Sequence, residues 1–274
     1  MKLIWIIVAI VTAAIAIAYF RESTIFTCTT FFDYEKQDKW EVFCKAMDSI
    51  REKHDPATLQ NISRWLIINE YSATPKKDWA SLIRERYPFV EFIQKNKDQK
   101  GQANSMNIIL TRIKPYRYWI HWEEAWYCRK SCIDRMFDVI RSTNVTQLQI
   151  TQLNKVPNWL DSSKHPRALM KTSGGTEYFA ISPAPGTDEY LTKSVTEFNG
   201  DFFGHWPLYS LLPSINRVNC YNIGAFSTDP KLWPIKFEWD YARRWLLADN
   251  KKAVLPDGPV IRDESKHRST YSKV

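Results

Sequence analysis

The chain has 274 residues, with 38 Lys and Arg against 30 Asp and Glu for a formal charge of +8, which is length enough for one large domain or two small ones around a buried core. Trp, Tyr and Phe number 12, 13 and 14 while glycine numbers only 8, a composition that excludes a low-complexity or disordered chain. The basic balance favours anionic partners such as nucleotide phosphates, acidic glycans or a membrane surface, but the basic residues are dispersed and form no recognition motif, so no nucleic acid is expected as a partner.

Residues Leu3 to Phe20 are uncharged and almost wholly apolar. As a helix they reach about 27 Å, at about 1.5 Å per residue, just enough for a thin bilayer. Ala16-Ile17-Ala18 offers a small-x-small cleavage pattern, yet the apolar run exceeds the roughly 7 to 15 residues of a signal core, so residues 1–21 read as one uncleaved transmembrane helix, with a cleaved signal peptide as the alternative. Only Lys2 precedes the span, and Arg21 and Glu22 cancel after it. The positive-inside rule then puts the amino terminus in the cytoplasm and residues 22–274 in a lumen or outside the cell, a single-pass type II arrangement. Five cysteines, Cys28, Cys44, Cys128, Cys132 and Cys220, show no C-x-x-C spacing. A zinc site is therefore not expected; one or two disulfides with a free thiol, or none, all fit. Asn61-Ile62-Ser63 and Asn144-Val145-Thr146 are N-glycosylation sequons, usable only if the domain is luminal.

After the anchor, Ile25 to Phe32 reads as a β-branched and aromatic strand. Glu35 to Lys53 carries Trp40, Phe43, Met47 and Ile50 at helical spacing and should pack on the sheet. Arg64 to Asn69 is a buried-type strand that ends in the polar loop Asn69-Glu70-Tyr71-Ser72. Pro75 is expected to open a helix with Trp79, Leu82, Ile83 and Arg86 on one face, closed by Tyr87-Pro88. Phe89 to Gln94 is a third strand, and Gln102 to Ile113 a helix that turns Met106, Ile109, Leu110 and Ile113 inward. A fourth strand begins at Tyr116 and breaks at Trp122 into Glu123 and Glu124. The alternation of strand and helix predicts βαβ units and a mostly parallel sheet. Beyond it come a helix near Ser131 to Arg141, a strand from Gln147 to Thr151, a Pro- and Gly-dotted region to about Asp229, a helix from Phe237 to Ala248 and a strand-like Ala253 to Leu255. The chain has no internal repeats.

Two adjacent glutamates could simply begin a solvated helix, where acidic residues suit the dipole. At the carboxyl end of a strand in an open α/β sheet, however, they stand where ligands bind and could hold a divalent metal or handle a proton. The order of strand, NEYS loop, helix, strand, KGQANSMNIIL, strand and acidic pair resembles the nucleotide-sugar-binding half of GT-A-fold glycosyltransferases, in particular the inverting family-2-like group. The resemblance implies an α/β fold of the GT-A type, a single domain with a mostly parallel central sheet flanked by helices. Residues 25–127 would be its nucleotide-sugar half and 128–274 its acceptor half.

The same resemblance implies that Asn69, Glu70 and Ser72, then Gly101, Gln102 and Asn107, lie along the nucleotide-sugar donor. Glu123 and Glu124 stand where the family has Asp-x-Asp, the ligands of a Mn or Mg ion on the sugar diphosphate. A hard cation accepts glutamate oxygens as readily as aspartate ones. The segments LPSINR, with Arg217 on the donor side, YNIGAF and FEWDY resemble the acceptor half, and there a carboxylate at the start of a helix takes the proton from the attacking hydroxyl. Glu238 is the first candidate for that base and Asp240 the second. His267 in the basic tail is a weaker metal candidate, and Trp206 and Tyr209 offer faces that could stack on a sugar or pack in the core. The implied activity is transfer of a hexosyl or pentosyl group from a nucleotide sugar to a glycan or other hydroxyl acceptor. Loss of the aspartate signature leaves a catalytically silent sugar- or nucleotide-binding module as the alternative, and carboxylates flanked by tryptophans would also suit a glycoside hydrolase.

Overall fold

The computed structural model describes residues 4–6, 23–34, 38–151, 165–193, 197, 205–232 and 235–262. The expected membrane span lies outside them apart from residues 4–6, and among the described residues no helix is long and apolar enough to cross a membrane.

The first half follows the alternation read from the sequence: β1 (Thr24–Thr30), α1 (Lys39–Lys53), the single turn α2 (Pro56–Leu59), β2 (Arg64–Asn69), α3 (Trp79–Arg86), β3 (Val90–Gln94), α4 (Gln102–Ile113) and β4 (Tyr118–Glu123). Three of these helices start on an aspartate whose carboxylate accepts an otherwise unpaired backbone N–H: Asp38 from Glu41, Asp55 from Thr58 and Asp78 from Ser81. This cap corrects one boundary. Asp78, not Pro75, sets the start of α3, because its side chain can fold back onto the first turn and proline's cannot.

The second half comprises β5 (Trp126–Cys128), α5 (Ile133–Ser142), β6 (Gln147–Gln149), β7 (Arg167–Lys171), β8 (Glu177–Ile181), α6 (Thr187–Leu191), β9 (Ser214–Arg217), α7 (Lys236–Leu247), β10 (Lys252–Val254) and β11 (Val260–Arg262). Nine strands form one sheet in the order β3-β2-β1-β4-β9-β6-β10-β8-β7, and β11 pairs with β5 in a small second sheet. The sheet is mixed, not mostly parallel. The pairings among β1 to β4 are parallel, as is β6 with β10, whereas β9 runs antiparallel to both β4 and β6 and β8 antiparallel to β10 and β7. The mostly parallel expectation fails because β7, β8 and β9 lie in the region whose Pro and Gly content masked its short strands.

Strand alternation divides the core into two layers. Phe26, Cys28, Trp65, Ile67, Tyr118, Ile120 and Trp122 point to the face covered by α1, α3 and α5. Ile25, Leu66, Ile68 and Trp119 point to the face covered by α4 and α7. With both faces covered, these strands need apolar residues at every position, as parallel strands in α/β proteins do. The register Thr30↔Asn69, Asn69↔Gln94 and Thr29↔Glu123 aligns the carboxyl ends of β1 to β4 on one edge.

Candidate active site

Glu123 closes β4 at that edge, and its two oxygens are lightly held. Trp126 Nε1 donates to Oε2 at 3.2 Å and Gln102 Nε2 to Oε1 at 3.4 Å. Burial raises the carboxyl to about 7; Arg262 opposes the rise and Glu124 adds to it. Glu124 is in a different position. It is 8% exposed, and its Oε1 lies 3.1 Å from the ammonium of Lys39, itself 2% exposed, at the first residue of α1. The adjacent glutamates therefore diverge: Glu124 is neutralised under α1, and Glu123 turns toward Gln102 at the start of α4.

Glu238 reaches the same place from the first turn of α7. The Leu211 N–H donates to its Oε1 at 2.9 Å. Burial again outweighs that hydrogen bond and raises the carboxyl to about 7, with the Glu123 charge adding to the rise and Lys252 opposing it. A helix N-terminus favours an ionised carboxylate by about 0.3–1 kcal/mol, so desolvation wins here. Lys252, 2% exposed at the start of β10, donates to the Leu208 carbonyl at 2.7 Å, and burial lowers it to about 7 against the pull of Glu238. Leu208 has a φ of 67°, so this buried ammonium fastens a left-handed residue in the loop whose Leu211 N–H holds Glu238.

On the donor side the polar side chains mostly shape the strand ends. Asn69, fully buried, accepts from Phe32 N at 3.0 Å and Thr30 Oγ1 at 3.1 Å and donates to Gln94 Oε1 at 2.8 Å, tying β1, β2 and β3 together. Glu70 is paired with Lys95 at 2.8 Å, both side chains buried. Lys95 also donates to Gly101 O and Ser105 Oγ, each at 2.8 Å, and burial lowers its pKa although Glu70 opposes this. The Gly101 N–H donates to both Glu70 oxygens at 3.2 Å. Gly101 has a φ of 100° at the N-cap of α4, a conformation open to glycine and strained for other residues. Ser72 sits half-buried on the rim.

No known protein family matches the sequence, and no curated protein matches it either. The likeness to known proteins is structural. The crystal structure of S. aureus TarS 1-349 superposes with a TM-score of 0.50 at 13% identity, over 86% of this chain and 58% of that one. GalNAc-T7, crystallised with UDP, GalNAc and Mn2+, superposes with a TM-score of 0.52 at 13% identity, over 88% of this chain and 43% of that one. The chain has a GT-A glycosyltransferase fold. It spans little more than half the length of the TarS fragment and less than half of GalNAc-T7.

Within this GT-A fold, Glu123, Glu124, Gln102, Gly101 and Glu238 converge on the carboxyl edge of the strands, while several other expected site residues lie elsewhere. Asp240 is about 200° around α7 from Glu238, at 100° per residue, and pairs with Arg244 at 2.9 Å and Arg243 at 3.6 Å. It acts as a helix-surface ion pair. Both ends of the Asn107 amide hold the Phe226 backbone, at 2.9 and 2.8 Å, which leaves no group for a donor. Arg217 lies opposite Tyr118, at the amino end of β4, and donates to the carbonyls of Ile140, Thr143 and Val145. It caps α5 about 16 Å from Glu123, at about 3.3 Å per residue. Trp206 and Tyr209 are 0% and 1% exposed and belong to the core. His267 lies outside the described residues.

A cleft of about 1210 Å³ also opens at that amino end, lined by Lys114, Arg117, Arg217 and Asn219 among others and, among the described residues, by no carboxylate. The carboxyl edge instead gathers the raised carboxyls of Glu123 and Glu238, the candidate groups for chemistry. Sequence reasoning missed Lys39, Trp126, Lys252 and Arg262. Trp126 lies three residues after Glu123, but the other three had no local signal. Arg262 reaches the site because β11 pairs with β5, Arg262 opposite Trp126.

The metal that Asp-x-Asp implies fits one residue here. Glu123 offers a carboxylate with weak, neutral partners, whereas Glu124 already has an ammonium 3.1 Å away. A Mg-type ion needs only one or two protein carboxylates when substrate phosphates and water complete its shell.

Proposed function

We propose that the chain is a membrane-anchored glycosyltransferase that moves a sugar from a nucleotide-sugar donor to a hydroxyl acceptor with inversion. What supports this reading is that Glu123, at the end of β4, and Glu238, in the first turn of α7, are both carboxyls raised to about 7 by burial, with the charge of Glu123 adding to the rise of Glu238. Glu238, at about 7, is substantially ionised at neutral pH and basic enough to take a proton, which is where a general base works best. It removes the proton of the acceptor hydroxyl as that oxygen attacks the anomeric carbon. The nucleoside diphosphate leaves from the opposite face, and a single displacement inverts the centre. Arg262 adds positive charge beside Glu123, on the side where the leaving diphosphate would gather negative charge. A Mn or Mg ion held by Glu123 would neutralise the departing diphosphate. GalNAc-T7, crystallised with Mn2+, supports that expectation for the fold.

The test is release of nucleoside diphosphate by the full chain in detergent, across a panel of nucleotide sugars and hydroxyl acceptors with Mn or Mg. Glu123→Gln is expected to lower kcat/KM about 100-fold, the loss typical of one charge-stabilising group, and to abolish the dependence on added metal. Unchanged metal-dependent turnover in that variant removes Glu123 from the site. Nucleotide sugars that raise Tm without any turnover across the panel would instead identify the silent binding module.

The placement we propose is type II, with residues 3–20 in the membrane and the GT-A fold in a lumen. Asn144 is exposed, whereas the Asn61 amide donates to the Thr58 carbonyl at 3.1 Å. Expression in a eukaryotic secretory pathway should therefore add an endoglycosidase-sensitive glycan at Asn144, lost in Asn144→Gln. A chain that carries no glycan at either sequon argues for the opposite orientation.

A further inference from the structure

His54, Cys128 and Cys132 form a buried cluster apart from the acidic site, 6%, 2% and 1% exposed, with their nitrogen and sulfur atoms within 4.8 Å of one another. Such a set suggests a metal, but the hydrogen bonds of His54 argue against one. Its Nε2 accepts from Cys132 N at 2.9 Å and from Ile133 N at 3.2 Å, so its Nδ1 carries the proton and donates to the Ile50 carbonyl at 2.7 Å. Both ring nitrogens are committed. The imidazole caps α5, taking the place of a capping side chain at Cys132. A structural zinc site would need that nitrogen and a fourth ligand.

What remains is a pair of thiols. The sulfurs of Cys128 and Cys132 lie within 4.8 Å of each other, and the neighbouring Cys128 together with burial holds the Cys132 thiol well above the ordinary range. The backbone around the pair is fastened on both sides. Cys128 N donates to Ser49 Oγ at 2.8 Å, and Arg129 N to the Pro259 carbonyl at 2.8 Å. Other cysteines point elsewhere: Cys220 donates to the Arg217 carbonyl and Cys28 to the Thr29 carbonyl.

We propose that Cys128 and Cys132 are a disulfide-forming pair that links the end of β5 to the start of α5, four residues after Glu124. Each thiol gives up a proton and one S–S bond forms. The two electrons pass to the disulfide of a thiol oxidoreductase or of oxidised glutathione, which is reduced to two thiols. Because the folded pair is buried and protonated, it closes during folding, while thiolates are still reachable. The link requires folding in an oxidising compartment, and it does not depend on which reaction the acidic site performs.

The experiment uses the full chain made in a bacterial strain whose cytosol is kept oxidising, so that the domain meets disulfide oxidants on whichever side of the membrane it lies. The chain is denatured without reductant, alkylated and weighed. Three alkyl groups are expected instead of five, with a peptide that joins Cys128 to Cys132. Reductant should lower the Tm of the native protein by about 5 °C, the size expected for a short closed loop in a domain of this length, and should leave the Tm of Cys132→Ser unchanged. Five alkyl groups, with or without one bound zinc per chain, or a link through any other cysteine, overturns the proposal; the wild-type count decides even if the variant does not fold.

Discussion

Glu238→Gln is expected to lower kcat about 1000-fold, within the range that general-base catalysis contributes, with donor binding changed less than about twofold. Glutamine keeps the oxygen that accepts the Leu211 N–H at 2.9 Å, so the loop should stay in place while the base is lost. In the wild type, kcat/KM should rise with pH through about 7 as Glu238 and Glu123 ionise, and in the variant the limb should become shallower, keeping only the part that belongs to Glu123. The same substitution reports on stability. The carboxyl titrates near 4.5 when unperturbed and near 7 in the fold. A raised pKa means that the fold favours the protonated form. That stabilising contribution is complete below about 4.5, is lost as pH rises toward about 7, and amounts to roughly 3 kcal/mol at most. Glu123 has the same sign and window. Wild-type Tm should therefore fall between pH 5 and pH 8 more than that of Glu238→Gln, so the catalytically dead variant becomes the more stable of the two at pH 8. Activity within tenfold of wild type would mean that another group takes the proton.

Lys39→Met should be strongly destabilising. It removes the ammonium 3.1 Å from Glu124, in a pair whose side chains are 2% and 11% exposed. Breaking a buried pair from one side leaves an uncompensated charge and costs roughly 3–5 kcal/mol, a fall in Tm of about 10 °C for a domain of this size. The double variant Lys39→Met with Glu124→Gln removes both charges and should recover most of that loss, because the penalty belongs to the unpaired carboxylate rather than to the missing contact. Thermal melts of the two single variants and the double variant give the coupling directly. Additive effects would show that Lys39 and Glu124 do not share a buried environment. The pair also matters for function. With Glu124 paired to Lys39, Glu123 is the one of the two that we propose meets a cation.

Much of the first half was legible because its signals are local. RWLIIN has no room for a polar face and is β2 at the boundaries read from the sequence; QANSMNIILTRI repeats its apolar residues at helical spacing and is α4, likewise unchanged. The NEYS loop and the acidic pair lie at strand ends, where the order of strands and crossovers puts them. Short strands such as β9, four residues long, gave no comparable signal. Their stability comes from partners far away in sequence, and an antiparallel neighbour such as β4 leaves no mark on the strand itself.

Within the site, Glu123 and Glu124 are equivalent as letters, as are Glu238 and Asp240. The sequence by itself determined that carboxylates gather at the end of the fourth strand and at the start of a late helix, because periodicity and strand order are properties of neighbouring residues. Only the tertiary structure decided which of them face one another. Lys39 claims Glu124 from 85 residues away, Arg243 and Arg244 hold Asp240 on the far side of α7, and Glu123 and Glu238 remain. Both rise to about 7 chiefly through burial, with the charge of Glu124 adding to the rise of Glu123 and that of Glu123 to the rise of Glu238, and burial depends on distances in space that no spacing along the chain records.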